Sequence, residues 1–314
     1  MSIQTPLRIL AVLLVLFACV LFVRSIDLSV VLAAMRAASP QLLLAAAVAN
    51  LVHLGVRVLR LRELLSPARR VSVGRLYRYS LAFCAGNNLL PARAGEAVRI
   101  WLLHSREAIA ASTSLSASVM EKLCDAVALL VLASPLPWLI PDLPSWVAGA
   151  ILSSSALALG AVVVLAILLR AHREAPLHTV RGRLYLGARA LGSPRALFAI
   201  AVLSLAVWFS DAAALLLVLR ALGCEIPFAG TVFVMLTLNL AIAVPSTPAS
   251  VGAFELGAVA ALRVLHVGEG PALAVALLYH VVQMVPVTVL GLPDLLSITR
   301  ARAAARAGSS TAAR

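Results

Sequence analysis

Six stretches of this chain, at about 7–23, 41–61, 112–134, 145–169, 196–219 and 272–297, are apolar over a length that crosses a lipid bilayer as a helix. About 20 apolar residues span the hydrocarbon core. Lipid offers the backbone no hydrogen-bond partner, so each stretch must satisfy its own peptide groups. The predicted fold class is therefore all-α, a polytopic transmembrane helical bundle. Only 12% of the 314 residues are charged, against 62% hydrophobic. A water-facing domain carries roughly 25% charged residues, so most of this surface faces lipid. The first stretch follows Arg8 and ends at Phe22-Val23-Arg24 without a small-residue cleavage site, which predicts a retained anchor and not a signal peptide.

The net charge is +13, and every basic residue except Lys122 is an arginine. Nucleic-acid binding is a poor explanation, because the arginines lie between apolar stretches. They read as topology signals. Seven arginines fall between Arg57 and Arg78, six between Arg170 and Arg195, and four after Thr299. The loop from Pro135 to Ser145 has one acid, Asp142, and no base. Positive-inside bias places the arginine-rich segments and both termini in the cytoplasm. That arrangement needs an even number of crossings, and six full spans satisfy it.

Two further apolar regions, about 76–103 and 228–265, are interrupted near their middles by Pro and Gly. The charge pattern holds if each enters and leaves on one side, the first from the cytoplasm and the second from outside. Two short crossings each, giving eight to ten helical segments, fit as well. Residues 28–38 read as a short outer helix, and 176–193 as a basic amphipathic helix on the inner surface. Residues 1–298 form one membrane domain. Residues 299–314 form a basic cytoplasmic tail, expected to be disordered from Ala301 onward.

Irregular backbone at membrane depth is tolerated only under protein or beside a water-filled cavity, so the interrupted regions mark the candidate site. The first reads Asn87-Asn88-Leu89-Leu90-Pro91-Ala92-Arg93-Ala94-Gly95-Glu96-Ala97-Val98-Arg99. The second runs from Asn239 through Pro245, Pro248 and Gly252 to Glu255. Both have the order Asn, Pro-Ala-x-x-Gly, Glu, and their predicted directions are opposite. Paired Gly/Pro-interrupted segments of this kind are the pattern of an inverted-repeat transporter. A broken helix presents free amides and partial positive charge at the start of its second half. Arg93 and Arg99 would add bidentate geometry for a phosphate. Glu96 reads equally as a helix cap or as an ion-pair partner of Arg93 or Arg99.

Glu121, Lys122 and Asp125 fall near the middle of an apolar stretch. Each charge at that depth costs about 2.5–3.5 kcal/mol. Glu121 and Asp125 share a helix face and call for a cation, with Arg57, Arg60 and Arg99 as candidates. Asp211 is a proton carrier or an interhelical hydrogen bonder. His280 and Gln283 share a face of the last span, as polar glue or as ligand contacts. His53 and His104 read as lone histidines near the interfaces, with no assigned role. Cys19, Cys84, Cys124 and Cys224 are scattered, without metal or disulfide spacing. No catalytic motif is present. The chain is expected to be no enzyme and to need no cofactor or metal.

The run Asn-x-Leu-Leu-Pro-x-Arg-x-Gly-Glu-x-x-Arg at 87–99, Glu-Lys-x-x-Asp at 121–125, Pro-x-x-Pro-x-x-x-Gly-x-x-Glu at 245–255 and Arg-x-x-Arg at 57–60 together resemble the transmembrane domain of lysylphosphatidylglycerol synthases, the flippase-like family. The likeness covers nearly the whole chain. It implies lipid translocation across a bacterial inner membrane and not aminoacyl transfer, which in the two-domain synthases belongs to a soluble domain. Implied partners are membrane lipids: an anionic phospholipid, a glycolipid or a hopanoid-type lipid. A lipid-modifying enzyme and a second copy of the chain are further candidates. Pro248-Ala249-Ser250-Val251-Gly252 departs from the family's frequent Pro-Gly-Gly-x-Gly, and His280 stands where many relatives carry Arg. Two alternatives stay open: a proton-coupled transporter of a small anion, and a non-transporting membrane partner of a lipid-modifying enzyme. Under the leading reading the lipid site comprises Arg57, Arg60, Asn88, Pro91, Arg93, Gly95, Glu96, Arg99, Glu121, Lys122, Asp125, Asp211, Asn239, Pro245, Pro248, Gly252, Glu255, His280 and Gln283.

Overall fold

A computed structural model describes residues 28–90, 94–141, 143–171, 189–243, 250 and 252–311. The predicted first span at 7–23, Cys19 and most of the predicted amphipathic helix at 176–193 lie outside the described residues. So do Pro91, Arg93, Pro245 and Pro248. Regular structure among the described residues is helical throughout. The order is α1 (Leu28–Ala37), α2 (Pro40–Leu65), α3 (Val73–Leu89), α4 (Gly95–Glu107), α5 (Ala111–Ala133), α6 (Leu136–Leu139), α7 (Ser145–Ala171), a 3-10 turn (Arg189–Gly192), α8 (Pro194–Ala221), α9 (Phe228–Ala241), α10 (Ala253–Val264) and α11 (Glu269–Thr311).

Three of these helices are long and apolar enough to cross a membrane: α2, α8, and α11 as far as Ile298. Helix α5 matches a predicted stretch but carries its three charges in mid-helix. Helix α11 continues to Thr311 through the Ala/Arg run of the predicted tail. Ala and Arg are strong helix formers and extend an established helix at little cost.

Helices α2 and α8 form the spine and run antiparallel. The Ser39 amide donates to the Ala221 carbonyl at one end (2.9 Å), and Arg60 Nη1 donates to Ser204 Oγ near the other (3.2 Å). The Asn50 amide donates to the carbonyls of Val282 and Gln283, tying α2 to α11. The outer faces carry exposed apolar side chains such as Leu44, Leu157 and Phe198. Contiguous apolar surface on this scale belongs against lipid.

Candidate functional site

Both interrupted regions are helix–break–helix hairpins whose limbs pack on each other. Helix α3 ends at Leu89, and Leu90 is extended, at φ −100° and ψ 146°. Helix α4 restarts at Gly95, whose amide donates to Asn87 Oδ1 (3.0 Å). A Cβ at Gly95 would strike the Phe83 carbonyl and the Asn87 side chain, so only glycine lets the limbs close. In the second hairpin α9 ends at Ala241 and α10 begins after Gly252, which sits at φ 89°. The Gly252 amide donates to Glu255 Oε2 (2.6 Å). The two Pro-Ala-x-x-Gly motifs thus open helices alike, but their caps differ. Asn87 reaches forward across the first break, and Glu255 reaches back by one turn. Each restarting amide at Gly95 and Gly252 already has an acceptor, so these two do not supply the free donors that the sequence suggested.

Helix α11 serves as a common ruler. Arg78, low on α3, pairs with Asp294 at 2.6 Å, and Asn88 near the tip donates to Thr288 Oγ1 at 2.8 Å. Arg263, near the far end of α10, pairs with Glu269 at 3.1 Å, while Glu255 near its tip meets His280 Nδ1 at 2.6 Å. The hairpins therefore approach from opposite ends of α11. Their tip contacts on it, His280 and Thr288, stand eight residues apart, about 12 Å along a helix.

A buried ion network lies beside the first hairpin. Arg60 Nη2 is 2.7 Å from Asp125 and 3.9 Å from Glu121. Arg99 Nη1 is 2.6 Å from the other Glu121 oxygen, and its Nη2 reaches Glu96 at 3.1 Å and Ser118 Oγ at 2.8 Å. The Arg99 guanidinium also lies 4.6 Å from the centre of the Phe83 ring. The carboxylates of α5 thus find their cations on α2 and α4. Arg99 is 3% exposed and fully engaged with carboxylates, which leaves it no face for a phosphate. Glu96 takes the predicted ion-pair role with Arg99.

Arg57 and Lys122 are placed differently. Among the described residues neither has a carboxylate within 4 Å, although both lie mid-helix. Both line a cavity of about 450 Å³ that the two hairpins border together. The first hairpin contributes Phe83, Asn87, Asn88 and Glu96, and the second contributes Ile242, Ser250 and Phe254. Asn50, His53, His280 and Gln283 complete its polar wall. A smaller cavity of about 230 Å³ adjoins it, sharing His53, Arg57, Lys122, Ile242, Phe254 and Gln283. Asp125, Asp211 and Asn239 line this second chamber. Asp211 Oδ1 accepts from the Tyr279 hydroxyl at 2.7 Å and from Gln283 Nε2 at 3.1 Å, linking α8 to α11.

His53 was left without a role in the sequence and placed near an interface, which is corrected. It sits deep in the bundle, its Nδ1 2.9 Å from the Val207 carbonyl, and borders both chambers. Asn50, His53, Arg57 and Arg60 recur every three or four residues on α2, a polar stripe on an apolar helix that periodicity alone could have revealed. Asn87 stands in the first motif but was not among the predicted site residues, and Phe254, Trp208 and Tyr279 carried no such signal.

The profile of the family described as Lysylphosphatidylglycerol synthase TM region matches residues 8–291. The chain is also similar to a protein described as Glycosyltransferase AglD from Haloferax volcanii, 28% identical over 333 aligned positions. That alignment covers 91% of this chain and 53% of the relative, so the chain spans about half the length of the curated relative it matches. No solved structure matches.

Proposed function

The chain belongs to the family of lysylphosphatidylglycerol synthase transmembrane regions, and from that premise we propose that it moves a lipid with an anionic or glycosylated headgroup across the membrane. One observation carries this reading. Two cations, Arg57 and Lys122, face a cavity bordered by both broken hairpins, and neither has a neutralising carboxylate within ion-pair distance among the described residues. A charge at membrane depth is costly and persists when paired or when it serves a substrate. A phosphate between Arg57 and Lys122 would supply the missing partner through charge-assisted hydrogen bonds. The amides of Asn50, Asn87, Asn88 and Gln283 would orient the rest of the headgroup. The ion pairs of Arg60 and Arg99 hold the floor of the site rigid and do not themselves bind lipid.

Under this reading the hairpins are re-entrant, and the cavity between them opens to either side in turn. The host membrane is a bacterial inner membrane with both termini cytoplasmic. The chain performs transport and no aminoacyl transfer. The Glu255–His280 contact favours a second reading, proton-coupled movement of a small soluble anion, since an imidazole and a carboxylate 2.6 Å apart can exchange a proton with the cavity.

Proteoliposomes containing this protein alone test both. Labelled phosphatidylglycerol is expected to exchange between leaflets faster than in empty vesicles. Arg57→Gln should fold at normal abundance and lose about tenfold or more of that rate, the equivalent of one good charge-assisted bond. Equal exchange by wild type and variant would refute the lipid site. Uptake of soluble phosphate without lipid exchange would favour the second reading.

A further inference from the structure

The two chambers differ in chemistry. The larger one holds the amides of Asn50, Asn87 and Asn88 and is bordered by both hairpins. The smaller one adjoins it beside Arg57 and Lys122 and is lined by two carboxylates, two amides, His53 and aromatic rings. We infer that the smaller chamber seats a hydroxyl-rich glycosyl unit, so that the substrate is a lipid-linked glycosyl phosphate, its phosphate on the wall the chambers share and its sugar inside. The inference rests on the lipid-translocation reading and specifies its substrate class.

The chamber's groups decide among headgroups. A second phosphate there would face Asp125 and Asp211. An ammonium would face Arg57 and Lys122, and Asp125 is already neutralised by Arg60 at 2.7 Å. Asp211 is held by two uncharged donors, Tyr279 and Gln283, and retains acceptor capacity, since a carboxylate has about four lone-pair sites. Asn239 donates to the Met235 carbonyl at 2.9 Å, which leaves its amide oxygen to accept. A bare hydrocarbon tail would leave the remaining acceptor sites of Asp211 and Asn239 without donors. A neutral ring bearing many hydroxyls both donates to Asp211 and Asn239 and accepts from Lys122 and Gln283. Trp208, Tyr279 and Phe254 offer apolar surface to its C–H faces.

Calorimetry on the full chain in detergent tests this with three probes of one tail length: dodecyl phosphate, a dodecyl hexosyl phosphate diester and dodecyl phosphoethanolamine. Wild type should bind the hexosyl phosphate about tenfold or more tighter than either other probe, because a site built for hydroxyls discriminates against ligands lacking them. Tyr279→Phe and Asp211→Asn should each bring the hexosyl preference to within about twofold, with dodecyl phosphate affinity unchanged. The ratio of affinities within one sample does not depend on how much of a variant folds. Arg57→Gln should weaken all three probes. Equal binding of the probes by wild type, preference for the phosphoethanolamine, or a preference that survives both chamber variants would overturn the inference and leave lipid translocation standing. Failure of all three probes to bind would overturn both.

Discussion

Arg57, Arg60 and Arg99 show how little a residue's type says about its task. All three lie beside the same carboxylates in mid-bundle. Arg60 is wholly buried and joins Asp125 to Glu121, and Arg99 joins Glu121 to Glu96. Arg57, one turn before Arg60, faces open cavity instead. Their substitutions should therefore separate. Removing one partner of a buried pair leaves the other charge uncompensated, a loss of about 3–5 kcal/mol. Arg60→Leu is thus expected to lower the midpoint of thermal unfolding in detergent sharply and to reduce abundance. Arg57→Gln removes a cation that has no carboxylate within 4 Å among the described residues, and its unfolding midpoint should stay close to wild type while lipid exchange falls. A thermal scan of both variants checks the pair of expectations, and a strong destabilisation by Arg57→Gln would mean that it is structural. In the sequence these residues were legible only as a group. The charges on α5 announced a need for cations, but which arginine answers each carboxylate depends on helix rotation and crossing, which local pattern does not encode.

At the scale of elements the two hairpins were the most legible feature. Pro and Gly clustered inside an apolar run weaken a continuous helix, and α3 and α9 both end at such clusters, whereas α11 runs unbroken through the isolated Pro286 and Pro293. The caps were not legible. Asn87 as the acceptor for Gly95 and Glu255 as the acceptor for Gly252 follow from how each limb folds back. Gly95→Val is expected to hold the limbs of the first hairpin apart, because a Cβ has no room beside the Phe83 carbonyl. Thermal unfolding in detergent should show a loss of about 1–3 kcal/mol, whereas Gly74→Ala, with nothing near its Cβ, should be nearly silent. Near-equal midpoints for the two variants would show that the hairpin is not closed as described. The contact between Asn88 and Thr288 can be fixed independently. In a background without the native cysteines, Asn88→Cys with Thr288→Cys should form a disulfide on oxidation and arrest exchange, with recovery on reduction. Failure to cross-link would place the first hairpin elsewhere along α11.

For the whole molecule, the arginine distribution predicts which face is inward. Alkaline phosphatase fused after residue 140 should be active and a fusion after residue 314 inactive, with the reverse for a cytoplasmic reporter. Activity at 314 would invert the topology. The sequence by itself determined that this is a helical membrane protein, that two of its apolar runs break, and that charges fall in the middle of an apolar stretch. These are one-dimensional consequences of solvent: apolar length sets spans, clustered Pro and Gly favour breaks, and each depends on residues contiguous in the chain. Only the tertiary structure decided that the hairpins approach from opposite ends of α11, that residues of both line one cavity, and that Arg57 and Lys122 line it while Arg60 and Arg99 do not. The reason is geometric. Whether a buried charge is paired or free depends on a few ångströms between helices far apart in the chain, such as Arg60 on α2 and Asp125 on α5. Those distances are fixed by packing against several neighbours at once, information that no single segment carries.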